Sequence, residues 1–404
     1  MKYVLLVGDG MGDYSYDELD GKTVLEYART PHLDRLAREG LLGLVETIPE
    51  KFPPGSDVGN LSLLGYDPRK YYTGRAPLEA ASRGITLSER DLALRCNLVT
   101  LSEDYRVMRD YSAGHIATAE ARRLIARLAR ELGEKNLEFY AGVSYRHLLV
   151  WRDVPVELEG LQLTPPHEIP DAPIEKYLPH GPGSALLRDL IKRSWEVLAP
   201  EGSPANSIWL WGAGRTPQMP TLKERFGLEG AVISAVDLIK GLGVYAGLRV
   251  IDVPGATGYL DTNYSGKVQA ALDALAQTDF VYLHVEAPDE CGHQGRLDLK
   301  IRAIEDFDAR IVGPLSGELS RAYRDFTLVV TTDHYTPVRD RVHVAAPVPF
   351  VVLSSSVLSL SALSNSALKK VEGFHERAAQ TTGVYIAHGH ELLPKVLSEL
   401  VPHS

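Results

Sequence analysis

Cysteine is nearly absent: the 404 residues contain only Cys96 and Cys291, far apart and in no metal or redox spacing. A disulfide framework is excluded, and a reducing cytoplasm is the expected location. Positive charge is also scarce, with 43 Lys+Arg against 53 Asp+Glu and no stretch that concentrates it. A nucleic-acid binder ordinarily carries a basic stripe, so that class is demoted. A local basic pocket for a small phosphorylated substrate stays compatible with the net charge of −10. Long apolar runs are missing too. Tyr3–Val7, after a single lysine, is too short for the core of a signal peptide. Val344–Leu368 is uncharged and long enough to span a bilayer, but Pro347, Pro349 and seven serines suit a buried strand and loop better. No membrane segment is expected, and no internal repeat is evident.

What is present is ordinary globular material, 44% hydrophobic and 24% charged, in a chain too long for one compact core. Tyr3–Gly8 reads as a buried strand that runs into the loop Gly8-Asp9-Gly10-Met11-Gly12-Asp13. After Ser207 apolar strands (Ile208–Trp211, Leu248–Val253, Phe280–Val285, Phe326–Thr331, Pro347–Leu353) alternate with helical stretches (Ile233–Ile239, Gly266–Gln277, Leu297–Leu319, Glu391–Leu400). That rhythm implies an α/β fold, a mainly parallel sheet covered by helices on both faces. The middle differs. Ala93–Leu101, Tyr105–Asp110 and Gly160–Pro165 read as strands, Leu137–Trp151 as one long strand or a hairpin, and Ala117–Leu132 and Ser184–Leu198 as helices, the first amphipathic. The expected organisation is an α/β domain from residues 1–87 and 206–404, with an α+β domain, 88–205, inserted. Residues 49–84, rich in Gly, Pro, Asp and Arg, read as a long irregular and hence functional segment.

Three carboxylates follow buried strands: Asp9, Asp289 and Asp333. In an open parallel sheet the carboxyl ends of the strands share one edge, where ligands bind, so these positions are expected to converge. Histidine accompanies two of them, in Asp289-Glu290-Cys291-Gly292-His293 and in Asp333-His334, and His343 precedes a further strand. Taken alone, each Asp reads as a turn former and each His as a surface or core residue. Together they form the ligand set of Zn²⁺ or Mn²⁺. Ser56, in Pro53-Pro54-Gly55-Ser56-Asp57, reads either as a plain N-cap or as a nucleophile at a helix start. The tail of a P-loop is mimicked by Asn263–Lys267 but lacks its leading glycine and its Ser/Thr, so nucleotide binding is unsupported.

Several of these motifs resemble a known family. Asp9–Asp13, Pro54-Gly55-Ser56-Asp57-Val58-Gly59-Asn60, Leu64-Gly65-Tyr66-Asp67-Pro68 and Gly74–Ala80 are similar to the archaeal-type cofactor-independent phosphoglycerate mutases of the alkaline phosphatase superfamily. Asp289–Gly295, Thr332-Asp333-His334 and His343 with Pro347–Phe350 continue the likeness in the same order. The resemblance implies an alkaline phosphatase-like fold and interconversion of 3- and 2-phosphoglycerate in glycolysis and gluconeogenesis. It implies two divalent ions, Mn²⁺ or Zn²⁺ with Mg²⁺ or Co²⁺ as alternatives. Asp9, Ser56, Asp333 and His334 would hold one ion, and Asp289, His293 and His343 the other. Ser56 would carry the phosphoryl group, and the insert would close over the substrate. Arg109, His115, Arg146, Arg75 and Lys267 are the expected substrate-binding residues, because arginine grips carboxylate and phosphate bidentately. Asp57 and Asp110 are the two candidates for the base. A phosphomonoesterase or phosphotransferase using the same machinery is the alternative.

Overall fold

Tyr3 to Gly8 are buried without exception, so the first strand has no solvent face and belongs in the middle of a sheet. The computed structural model, which describes residues 1–154, 158–355 and 371–398, places it there. Lys2–Gly8 pairs in parallel with Phe280–Val285 on one side and with Phe326–Thr331 on the other. The whole sheet runs Arg249–Ile251, Gly230–Ile233, Phe280–Val285, Lys2–Gly8, Phe326–Thr331, Val348–Ser354, Leu41–Val45 and Tyr385–Ile386. It is mainly parallel, and Val348–Ser354 alone runs against both its neighbours. One face is covered by helices such as Pro31–Glu39, Tyr264–Leu275 and Leu297–Phe307, whose buried residues share a core with Val4, Leu6, Val281 and Leu328. Each fully buried Leu, Val or Phe of that core contributes about 1.5–3 kcal/mol. No helix among the described residues is long and apolar enough to cross a membrane.

The chain divides into two compact units, Met1–Tyr72 with Met219–Ser404, and Thr73–Gln218. The second unit is built on an antiparallel sheet centred on Leu92–Leu101, which pairs with Met108–Asp110, Arg146–Trp151 and Ser207–Gly214, with Leu137–Val143 outside Arg146–Trp151. Thr118–Leu132 and Ser184–Leu198 bury Leu124, Ile125, Leu128, Leu187, Leu190 and Ile191 in its separate core. Residues 73–87 and 206–218 fall in this unit, outside the 88–205 span read from the sequence. Ser207–Gly214 is a ladder partner of Leu92–Leu101, and Ala76 and Ala80 pack with Ala93, Leu148 and Val150.

Three local readings change. Residues 49–84 are not irregular: they contain the helices Ser56–Leu63, Pro68–Tyr71 and Arg75–Ser82. All eight residues of Ser56–Leu63 are buried, so no polar face marks the helix in sequence. Gly160–Pro165 forms no strand, only an isolated bridge from Gln162 to His180. Ile233–Ile239 is a boundary, the strand Gly230–Ile233 followed by the helix Asp237–Tyr245. Much of Val344–Leu368 and the end of the final helix lie outside the described residues.

One buried cation ties the loops of the first unit together. Lys300 Nζ donates to Gly12 O at 3.0 Å, Asp13 Oδ2 at 2.9 Å and Thr336 O at 2.7 Å, with both side chains sealed from water. Removing one member of a buried pair strands the other's charge, at a cost of about 3–5 kcal/mol. Lys300→Met is therefore expected to lose about that much stability in urea titration. The Lys300→Met/Asp13→Asn double variant should lose less than Lys300→Met alone. A Lys300→Met midpoint equal to wild type would contradict the strap.

Candidate active site

The three adjacent parallel strands deliver their carboxylates to one edge. Asp9 follows Lys2–Gly8, Asp333 follows Phe326–Thr331, and Asp289 lies in the helix Ala287–His293 after Phe280–Val285. Gly10, at φ +60°, lets the first loop pass against this helix, since a Cβ there would stand 2.7 Å from Asp289 Oδ1. Ser56 opens its helix and is 9% exposed. Its Oγ lies 3.4 Å from Asp9 Oδ2 and 3.1 Å from His334 Nε2. Gly59 permits that approach: a Cβ would meet Asp333 O at 2.7 Å. Asn60, one turn on from Ser56, donates to Ser56 O at 2.8 Å and to Asp333 Oδ2 at 2.7 Å, and accepts from the Tyr282 hydroxyl. Gly10 N donates to Asp333 Oδ1 at 3.1 Å, so both oxygens of that carboxylate are oriented.

Backbone carbonyls decide which imidazole nitrogens face the centre. His334 Nδ1 lies 3.2 Å from Tyr335 O and His293 Nδ1 lies 2.9 Å from Arg341 O. A carbonyl only accepts, so each Nδ1 carries a hydrogen and Nε2 is the nitrogen that faces the centre, free to offer its lone pair once it has lost any proton. Those Nε2 atoms lie 3.4 Å from Asp9 Oδ1 and 3.3 Å from Asp289 Oδ2 respectively. His343 Nε2 lies 3.3 Å from Asp289 Oδ1 and 2.8 Å from His293 Nε2. Thr336 donates to Asp289 Oδ1 at 2.5 Å.

Charge at this edge is concentrated and dry. Burial, then the neighbouring Asp333 and Asp289, hold the Asp9 carboxyl well above the usual range. Burial would raise Asp289 as well, but its hydrogen bonds to His293 and His343 outweigh it and hold the group low. Burial pushes His334 down. Among the described residues, Asp289/His293/His343, Asp9/Asp289/His334 and Asp9/His284/Asp333 each gather their ligand atoms within 4.8 Å of one another. Asp9 Oδ1 is buried without a hydrogen-bond partner. A sealed carboxylate oxygen and two nitrogens 2.8 Å apart suit divalent cations, which carboxylate and imidazole ligands prefer.

The remaining candidates belong to both units. Asp57 is buried beside Ser56 and accepts from the Tyr72 hydroxyl at 2.5 Å. Lys267, 1% exposed, donates to His284 O at 2.9 Å, and burial lowers its pKa to about 8. This makes it an interior cation rather than the open phosphate clamp expected from sequence. In the second unit, Arg109 is exposed and pairs with Asp171 at 3.3 Å. Burial raises Asp110, but the Ser112 hydroxyl and amide and the Gly114 amide outweigh it and keep the carboxyl ionised. His115, at φ +52°, and Arg146 both lie against the Tyr145 ring, and Arg75 opens the helix Arg75–Ser82. Sequence reasoning missed Asn60, Thr336 and His284. It also missed Arg95, which stacks over Trp211 at 4.2 Å and pairs with Glu79 at 3.0 Å. For His284 a signal existed, an imidazole inside the apolar strand Phe280–Val285.

A serine among carboxylates and inward-facing imidazoles, at the carboxyl edge of a mainly parallel sheet, defines a metal-binding α/β protein. The profile of the 2,3-bisphosphoglycerate-independent phosphoglycerate mutases matches residues 37–203. A probable 2,3-bisphosphoglycerate-independent phosphoglycerate mutase of Geobacter sulfurreducens is 51% identical over 98% of this chain and 100% of its own length. The mutase of that name from Methanosarcina barkeri is 49% identical over 97% of this chain and 98% of its own. Among solved structures, a protein of Pyrococcus horikoshii superposes with a TM-score of 0.80 at 28% identity, covering 100% of this chain and 99% of that one. The cofactor-independent phosphoglycerate mutase of Thermoplasma acidophilum gives 0.66 at 25% identity, covering 98% and 100%. The chain belongs to the 2,3-bisphosphoglycerate-independent phosphoglycerate mutase family.

A pH dependence of metal binding follows from the ligand geometry. Burial lowers the His293 pKa, but the hydrogen bond and charge of Asp289 outweigh it and raise the group to about 9. In the metal-free protein His293 therefore holds its proton below about pH 9, and a cation must displace it. Affinity should fall as pH drops from about 9, and His293 should release roughly one proton per chain near neutrality, in addition to any from Asp9. Calorimetry in buffers of differing ionisation enthalpy measures this. Proton release that does not decline on going above pH 9 would contradict the assignment.

Proposed function

We propose that this chain interconverts 3-phosphoglycerate and 2-phosphoglycerate by passing the phosphoryl group through Ser56. The observation that carries this reading is the Ser56 Oγ, buried at a helix start between Asp9 and His334. Two divalent cations, one held by Asp9, Ser56, Asp333 and His334 and the other by Asp289, His293 and His343, would depress the Ser56 hydroxyl pKa and stabilise charge on the transferring group. Mn²⁺ or Zn²⁺ suits these ligands best, with Mg²⁺ or Co²⁺ as substitutes.

Ser56 Oγ attacks phosphorus, the bond from phosphorus to the substrate oxygen breaks, and that oxygen leaves as the hydroxyl of glycerate, taking the proton that Ser56 gives up by way of Asp57 or Asp110. The second step reverses this at the neighbouring hydroxyl, whose proton goes to Asp57 or Asp110. Helix N–H groups at the start of Ser56–Leu63 favour the incoming phosphate, and Asn60 keeps Asp333 and the Ser56 backbone in register. Arg75, His115 and Arg146, with Arg109 released from its surface pair, supply the donors that an acidic three-carbon substrate needs. Holding glycerate between the two steps separates a mutase from a phosphatase.

The test is incubation with 3-phosphoglycerate and Mn²⁺ without 2,3-bisphosphoglycerate, following 2-phosphoglycerate and free phosphate separately. Isomerisation with little phosphate release is expected, and chelation should abolish it. Phosphate release without 2-phosphoglycerate would instead make the chain a phosphomonoesterase. Ser56→Ala should lower isomerisation by roughly 10⁴-fold or more, as loss of a nucleophile does. Mass spectrometry of the quenched wild type should find one added phosphate on the Ser56 peptide.

A further inference from the structure

His284 is an imidazole with nowhere to send its second nitrogen. It sits in the central strand Phe280–Val285, opposite Val7 of the first strand, and is 0% exposed. Its Nδ1 lies 3.3 Å from Ser234 Oγ, which also accepts from Val236 N at 3.0 Å. Its Nε2 makes no hydrogen bond, although Asp9 Oδ2 stands only 3.0 Å away. Asp9 Oδ1, on the same carboxylate, is likewise buried and without a hydrogen-bond partner. Polar atoms left unsatisfied in the interior destabilise the fold unless something fills the space they face. Asp333 closes the group, its oxygen within 4.8 Å of the other two ligand atoms.

We infer that His284 is a direct nitrogen ligand of the cation on the Asp9 side, an addition to Asp9, Ser56, Asp333 and His334. The inference rests on the reading that a divalent cation occupies this group. Nδ1–H then donates to Ser234 Oγ, and the Nε2 lone pair faces the ion together with Asp9 and Asp333. Lys267, bonded to the His284 carbonyl, anchors the strand that carries the imidazole. A donor set with an added imidazole favours a borderline ion such as Zn²⁺ or Mn²⁺ over Mg²⁺, which prefers oxygen.

The experiment uses the full chain with Mn²⁺ alone, without substrate, so failure of the mutase reading leaves it intact. Pulsed electron paramagnetic resonance of the ¹⁵N-histidine-labelled protein counts coordinated imidazoles. His284→Asn should show one fewer than wild type and should bind one of its ions at least ~10-fold more weakly. An unchanged imidazole count would overturn the inference even if affinity falls, because a merely orienting residue can also weaken binding ~10–100-fold. Should His284→Asn fail to fold, Zn²⁺ titration of the labelled wild type decides by ¹⁵N resonance. A coordination shift at His284 Nε2 like that at His334 supports the assignment, and an Nε2 that remains protonated refutes it.

Discussion

The constraint on which the first unit depends is the gathering of Asp9, Asp289 and Asp333 at the ends of three adjacent parallel strands. Like charges in a dry interior repel strongly, and burial penalises each of them further. The fold meets this with donors on each carboxylate: Gly10 N and Asn60 on Asp333, Thr336 and two imidazoles on Asp289, and the Ser56 hydroxyl on Asp9. These donors are mostly neutral, so negative charge is left over. A site of this kind stores cation affinity in the folded state, and a bound cation would in turn stabilise the loops that hold it.

Precision at the site comes from small or buried groups that hold its carboxylates in place. Gly10 and Gly59 bring backbone within van der Waals distance of Asp289 and Asp333. Lys300 joins the Gly12–Asp13 loop to Thr336, and Thr336 orients Asp289. Side chains that act on ligands are thus held by neighbours whose own positions are fixed by packing.

The second unit has a different logic. Its antiparallel strands and separate core let it fold around Leu92–Leu101. Two of its cations lie on aromatic rings, Arg95 on Trp211 and Arg146 on Tyr145.

The sequence by itself determined the alternation of apolar strands and helices, and with it the parallel sheet and the positions of Asp9, Asp289 and Asp333 at strand ends. That followed because burial on both faces writes continuous apolar runs, and because parallel strands share one carboxyl edge. Tertiary structure alone decided the rest. The Ser56–Leu63 helix is buried on all sides, so its start after Pro53-Pro54-Gly55 was legible but its extent and its full burial were not. Ser207–Gly214 looked like part of the α/β rhythm until its ladder with Leu92–Leu101 placed it in the second unit. Lys267 and His284 carry their meaning only through what encloses them. A lysine reads as a surface cation until its amine is found on a buried carbonyl. An imidazole in an apolar strand reads as core until the neighbouring strand sets a carboxylate beside it, because burial and pairing are properties of distance in space rather than of spacing along the chain.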